Sequence, residues 1–186
     1  IDSLANIFLD LQDKGADNIN LVTGTPYIPH IVKALDMAKK KGLVIPIIYN
    51  SSGYESVFAL KMLDGYIDVY LPDMKYYDNK YGLCYSKCDN YFGICKDALN
   101  EMYRQVCSVC FDKKRLKKKG MIVRHLVMPN MVNDSKMIIK YLYDSYGDNI
   151  YISIMNQYTP NGKLNKYKKI DRVISENEYD EVINYA

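Results

Sequence analysis

Residues 66–78 read YIDVYLPDMKYYD. The stretch gives four or five residues of strand, then Pro72 at a point where a sheet ladder needs an N–H, then Asp73 and Lys75 two residues apart. Proline within a strand pattern ends the strand or confines it to an edge, so Asp73 is expected at or just past a strand's C-terminal end. In α/β proteins that end is where ligands bind.

Working outward, strands and helices alternate. Residues 3–14 place Leu4, Ile7, Phe8 and Leu11 on one helical face before Gly15. A strand over 18–25 follows, then a helix over 29–41 carrying Ile31, Leu35 and Ala38, a strand over 43–50, and a helix with Val57, Leu60 and Leu63. After YIDVYLPD comes a Cys- and Tyr-rich loop, a helix over 91–106, a strand over 121–129, a helix over 135–146 and a strand over 149–158. A last helix starts at Ser175, where Ser175 and Glu178 make a capping box. Strands alternating with helices, several of them continuous apolar runs, predict right-handed βαβ units and a parallel sheet. Five strands cannot close an eight-stranded barrel. The opening helix has no strand before it, so the expectation is an N-terminally truncated single domain over residues 1–186, a partial (β/α)6 barrel with five βα units and its first strand missing.

Composition narrows the function classes. The chain has 186 residues, 48% apolar content, and a net charge near +3 from 25 Lys and Arg against 22 Asp and Glu. That length can bury one sizeable core, and that charge does not by itself call for nucleic acid. Nineteen tyrosines are scattered rather than spaced as a stacking platform, and they read as packing residues. No apolar run of about 18 residues and no signal peptide pattern occurs, so a soluble, cytoplasmic chain without membrane contact is expected. Five cysteines, an odd number, argue for reduced thiols rather than a disulfide framework. Cys84, Cys88, Cys95, Cys107 and Cys110 are not spaced for a converging metal or cluster site, so no metal ligand is assigned among them. The basic run 112–120, DKKRLKKKG, lacks interleaved aromatics and reads as a solvated loop rather than a nucleic-acid patch.

Polar residues fall at the expected C-terminal strand ends: Thr23 and Thr25; Asn50, Ser51 and Ser52; Asp73 and Lys75; Asn130; Asn156 and Gln157. Arg124 and His125 lie inside a strand, where an inward charge requires a partner or a ligand. Alternation puts His125 on the opposite face from Arg124, where a packed role suits it. Groups from several strand ends are what a site at the top of a parallel barrel needs.

The segments GADNINLVTGTPYIPHIVKAL, GLVIPIIYNSSGYESV, GYIDVYLPDMKYYD, EMYRQV, GMIVRHLVMPN and ISIMNQYTP resemble, in order, those of radical S-adenosylmethionine (SAM) proteins of the pyruvate formate-lyase activating enzyme type. The resemblance implies a partial barrel, a [4Fe–4S] cluster on C-x-x-x-C-x-x-C after the first strand, and cleavage of SAM to a 5′-deoxyadenosyl radical that abstracts hydrogen. That cysteine motif is absent here, so the cluster ligands are expected upstream and the fragment alone is expected to be inactive. The resemblance also implies SAM contacts from Thr23, Thr25, Asn50, Ser51, Asp73, Lys75, Arg124 and Gln157. Thr23-Gly24-Thr25-Pro26 stands where the wider family has a Gly-Gly-Glu-like turn, Asn50-Ser51 where activating enzymes have Asp-Thr, and Gln157 or Asn156 where they have histidine. The implied partners are an electron donor such as flavodoxin or ferredoxin and a protein substrate bearing a glycine. SAM carries an amine, a carboxylate and a diol, and Asp73, Lys75 and Arg124 supply both signs of charge for them. Two other readings stand beside it: an aldolase-like barrel with Lys75 as Schiff-base nucleophile, and a non-catalytic protein-binding module.

Overall fold

The computed structural model describes residues 1–107, 110–111, 117–160 and 167–186. The chain divides into two compact units, Ile1–Pro72 with Ile94–Ile122, and Asp73–Gly93 with Val123–Ala186.

The first unit holds α1 (Asp2–Asp13), β1 (Ile19–Val22), α2 (Ile28–Lys40), β2 (Ile47–Ser51), α3 (Val57–Lys61) and β3 (Val69–Pro72). Most of α5 (Tyr91–Val106), β4 (Cys110–Phe111) and the first part of β5 (Lys117–Leu126) also belong to it. Strand pairs β1–β2, β2–β3 and β3–β5 are parallel, as the sequence predicts. In β1, Ile19 and Leu21 face inward while Asn20 and Val22 are exposed. In α2, Ile28, Ile31, Ala34, Leu35 and Ala38 are buried at helical spacing, and Gly42, at φ 102°, lets the chain turn away after the helix. Ile47, Tyr49, Leu60, Leu63, Tyr70, Leu99, Met102 and Met121 fill the core. The buried Tyr70 hydroxyl donates to Gln105 Oε1 at 2.5 Å, and Gln105 Nε2 donates to the Leu60 carbonyl at 2.9 Å. A phenol taken out of water is thereby satisfied.

The second unit holds α4 (Asn79–Ser86), the end of β5, α6 (Val132–Tyr146), β6 (Tyr151–Met155) and α7 (Glu176–Ile183). β6 pairs with β5, and Val127 N–H donates to the Met155 carbonyl at 2.9 Å. Val127, Ile139 and Val182 form a small core with Val132, Ile154, Ile174 and Tyr179 against it. The capping box at Ser175 and Glu178 is present. Several tyrosines pack on one another, Tyr76 against Tyr91 with ring centroids 5.0 Å apart and Tyr81 against Tyr85 at 5.9 Å.

Four local expectations need correction. The Cys- and Tyr-rich segment contains α4, whose start is capped by the Asp78 side chain accepting from Lys80 N–H. β2 begins at Ile47 rather than at residue 43, because Pro46 has no N–H to give a ladder. α6 starts at Val132 rather than Ser135, which puts Asp134 in its first turn. β5 starts at Lys117 and pairs antiparallel with β4, so the end of the basic run belongs to a strand. Residues 112–116 of that run lie outside the described residues.

Candidate functional site

Pro72 is the last residue of β3, and Asp73 makes a single parallel bridge with Arg124. Met74 N–H donates to the Arg124 carbonyl at 2.9 Å, which sets the two side chains at the same height. Arg124 Nε donates to Asp73 Oδ1 at 2.8 Å, and the Arg124 terminal nitrogen lies 2.7 Å from the same oxygen. Lys75 Nζ lies 3.6 Å from Asp73 Oδ2, beyond hydrogen-bond range, so that attraction is purely coulombic. Side-chain exposure rises from 17% for Asp73 through 27% for Arg124 to 37% for Lys75. Asp73 is thus flanked by two cations, Arg124 and Lys75. Lys75 is more than a third exposed and faces a carboxylate, whereas a Schiff-base lysine needs an apolar enclosure.

The backbone carrying these groups is tightly held within the second unit. His125, 1% exposed, reaches the Met74 carbonyl with Nδ1 at 2.7 Å and Ser135 Oγ with Nε2 at 2.8 Å. A carbonyl only accepts, so the proton sits on Nδ1 and Nε2 accepts from the serine. Burial pushes the imidazole down to about 4, which keeps it neutral near pH 7. His125 is therefore a packed positioning group, in keeping with its alternation from Arg124. Asp134, in the first turn of α6, accepts from Tyr77 N–H and Asp78 N–H, both at 2.9 Å, and burial raises its carboxyl above the ordinary value. Lys75 N–H donates to the Tyr91 hydroxyl at 2.9 Å. Residues 74, 75, 77 and 78 are thus each fixed by a named partner, which holds in place the backbone that carries Asp73 and Lys75.

The candidates of the first unit are arranged differently. Thr23 has φ 54°, a left-handed conformation that a β-branched residue rarely takes, and its N–H donates to the Asn50 carbonyl at 2.9 Å. The Thr25 hydroxyl donates to Glu55 Oε1 at 2.7 Å and lies 3.0 Å from the Tyr49 hydroxyl. With its one proton on Glu55, Thr25 accepts from Tyr49. Ser51 is buried, and its Oγ accepts from Gly53 N–H at 3.2 Å. Asn50 is half-buried. Glu55 is buried, and burial raises its carboxyl pKa, while burial and the Glu55 charge push Tyr49 up to about 12. Sequence reasoning missed Glu55 and Asp134. Both are acids in polar stretches, GYES and VNDS, where no apolar rhythm marks them as buried.

In the second unit Gln157 and Asn156 are exposed just beyond β6, and Gln157 Nε2 lies 3.8 Å from Met155 Sδ. Cys84 and Cys107 are exposed, Cys88 is half-buried and Cys95 is buried in α5. Among the described residues, no group of three His, Cys, Asp or Glu is placed to hold a metal ion. No described helix is long and apolar enough to cross a membrane.

No family model matches the chain. An uncharacterized protein of Methanocaldococcus jannaschii is 33% identical over 171 residues, covering 91% of this chain and 46% of that protein. The chain thus spans about half the length of the curated relative it matches. A domain of pyruvate-formate lyase-activating enzyme from Bacteroides vulgatus superposes with a TM-score of 0.58 at 11% identity, over 90% of this chain and 92% of that one. Methylornithine synthase superposes with a TM-score of 0.62 at 12% identity, over 100% of this chain and 52% of that one. The chain has their fold. Its class is α/β, a partial TIM-like barrel of parallel strands.

Proposed function

We propose that the chain is the barrel portion of a radical SAM enzyme, resembling the pyruvate formate-lyase activating enzyme, with Asp73, Arg124 and Lys75 as its principal SAM contacts. The observation that supports this reading most is the Asp73–Arg124 pair with Lys75 beside it, at the end of a parallel strand of this fold. The donor set suits the zwitterion. Lys75, held to Asp73 by the longer contact, is the cation able to turn to a ligand carboxylate while Arg124 keeps Asp73 oriented. Asp73 Oδ2 offers an acceptor to an amine or a ribose hydroxyl.

The described cysteines do not fit a [4Fe–4S] cluster, since three thiolates do not converge. On this reading the cluster ligands come from a segment outside the described residues. Bound SAM supplies hydrogen-abstraction chemistry, and this chain's part is to bind, orient and shield. The hydrogen donor, a protein-borne glycine in the activating-enzyme version, and an electron donor of the flavodoxin or ferredoxin kind belong to the same proposal. Calorimetric titration of SAM into the protein tests the contacts. Binding weakened about tenfold or more in Asp73→Asn and in Lys75→Met is expected, that being the worth of one charge-assisted hydrogen bond. Equal binding in both variants and the parent would remove these residues from the site.

A further inference from the structure

Lys75 carries its ammonium on a long, flexible stem, 37% exposed, with Nζ 3.6 Å from Asp73 Oδ2. The direction such a side chain takes depends on how firmly its root is held. Lys75 N–H donates to the Tyr91 hydroxyl at 2.9 Å, and both residues lie in the second unit. Tyr91 is 2% exposed. Its ring meets Tyr76 edge-on at 5.0 Å between centroids, and the Tyr76 hydroxyl is itself tied to Ser86 Oγ at 2.9 Å. Phe92 N–H donates to Asn79 Oδ1 at 2.8 Å, which joins the start of α5 to the start of α4. Gly82, buried in α4, comes closest: a side-chain carbon there would lie 2.5 Å from Tyr91 Cβ and 3.3 Å from the Cys88 carbonyl oxygen. Alanine is the better helix former, yet α4 accepts no side chain at residue 82 unless Tyr91 moves.

We propose that Tyr91 is a positioning residue for the SAM site, acting through the Lys75 backbone, and that Gly82 is the close approach that sets Tyr91 in place. The proposal rests on the SAM reading and extends it to residues that act on the ligand through Lys75. Two substitutions separate the two parts. Tyr91→Phe keeps the ring against Tyr76 and Gly82 and removes the acceptor of the Lys75 N–H. Gly82→Ala keeps that acceptor and displaces it, because the atom it would strike is the stem of a buried ring.

The test combines calorimetric titration of SAM into the intact protein with amide hydrogen exchange of Lys75 measured without ligand. Tyr91→Phe is expected to speed exchange at the Lys75 amide and to weaken SAM about fivefold, the scale of one neutral hydrogen bond. Gly82→Ala is expected to weaken SAM in the same direction; should it fail to fold, Tyr91→Phe alone decides. In a Lys75→Met background, Tyr91→Phe should leave the remaining affinity unchanged, since the group it positions is gone. A further fivefold loss there would mean that Tyr91 acts on the fold at large and would overturn the proposal. Parental SAM affinity or parental Lys75 exchange in Tyr91→Phe would overturn it as well, with the SAM reading left standing if Lys75→Met weakens binding. Parental affinity in Lys75→Met would instead contradict the reading, and the proposal with it.

Discussion

Asp73 and Glu55 both follow the C-terminal end of a parallel strand, yet their surroundings are opposite. Asp73 keeps 17% of its side chain exposed and meets two cations, whereas Glu55 is 4% exposed and is met by the Thr25 hydroxyl. The first arrangement fixes a carboxylate between two cations. The second holds a carboxyl whose charged form is disfavoured until something neutralises it. Burial in the one case and two neighbouring cations in the other, more than the residue type, set the two acids apart.

The scaffold beneath Asp73 gives the largest expected effect. His125 has its folded value lowered from 6.5 to about 4, so the unfolded chain binds more protons between those values and stability falls as pH drops through them. The loss amounts to about 3 kcal/mol once pH is below both values, since each tenfold weakening of proton binding on folding costs about 1.4 kcal/mol. Urea midpoints measured from pH 7 to 4 should show this slope in the parent and lack it in His125→Gln. A parallel slope in both would mean that His125 is not the buried neutral group described.

Next in size, Arg124→Ala leaves the Asp73 carboxylate, among the described residues, with the longer Lys75 contact. A cost of about 2 kcal/mol is expected from chemical denaturation, in the range for hydrogen bonds to charged groups. Glu55→Gln should cost under about 1 kcal/mol at neutral pH, because the amide oxygen still accepts from Thr25 while the disfavoured charge is removed. The sign is opposite to that of His125. Glu55 has a raised folded value, so its contribution is fully present below the unfolded value of 4.5 and is lost as pH rises through the folded one. The stability gap between parent and Glu55→Gln should therefore move in favour of the variant as pH rises. Lys75→Ala is the smallest, under about 1 kcal/mol, because its ion pair is long and well solvated.

The sequence made the Asp73 side of this contrast legible and left the Glu55 side hidden. A proline that forbids a ladder N–H located the end of β3, and an arginine among apolar strand residues demanded a partner, which Asp73 supplies. The helix of residues 91–106 and the Ser175 cap were equally readable, because apolar spacing and capping chemistry are local signals. Glu55 and Asp134 were not, because their burial depends on partners distant in the chain: Thr25 lies 30 residues from Glu55, and Tyr77 lies 57 from Asp134. The same limit explains α4. Its helix is short and its buried glycine packs on Tyr91, a tertiary contact with no rhythm in the sequence.

The most direct test of the radical SAM reading uses the full-length protein, reconstituted anaerobically with iron and sulfide and treated with dithionite and SAM, with 5′-deoxyadenosine quantified against Asp73→Ala. The account predicts nucleoside from the parent and its loss in the variant. No nucleoside from a cluster-loaded parent, or the same yield from Asp73→Ala, would contradict it.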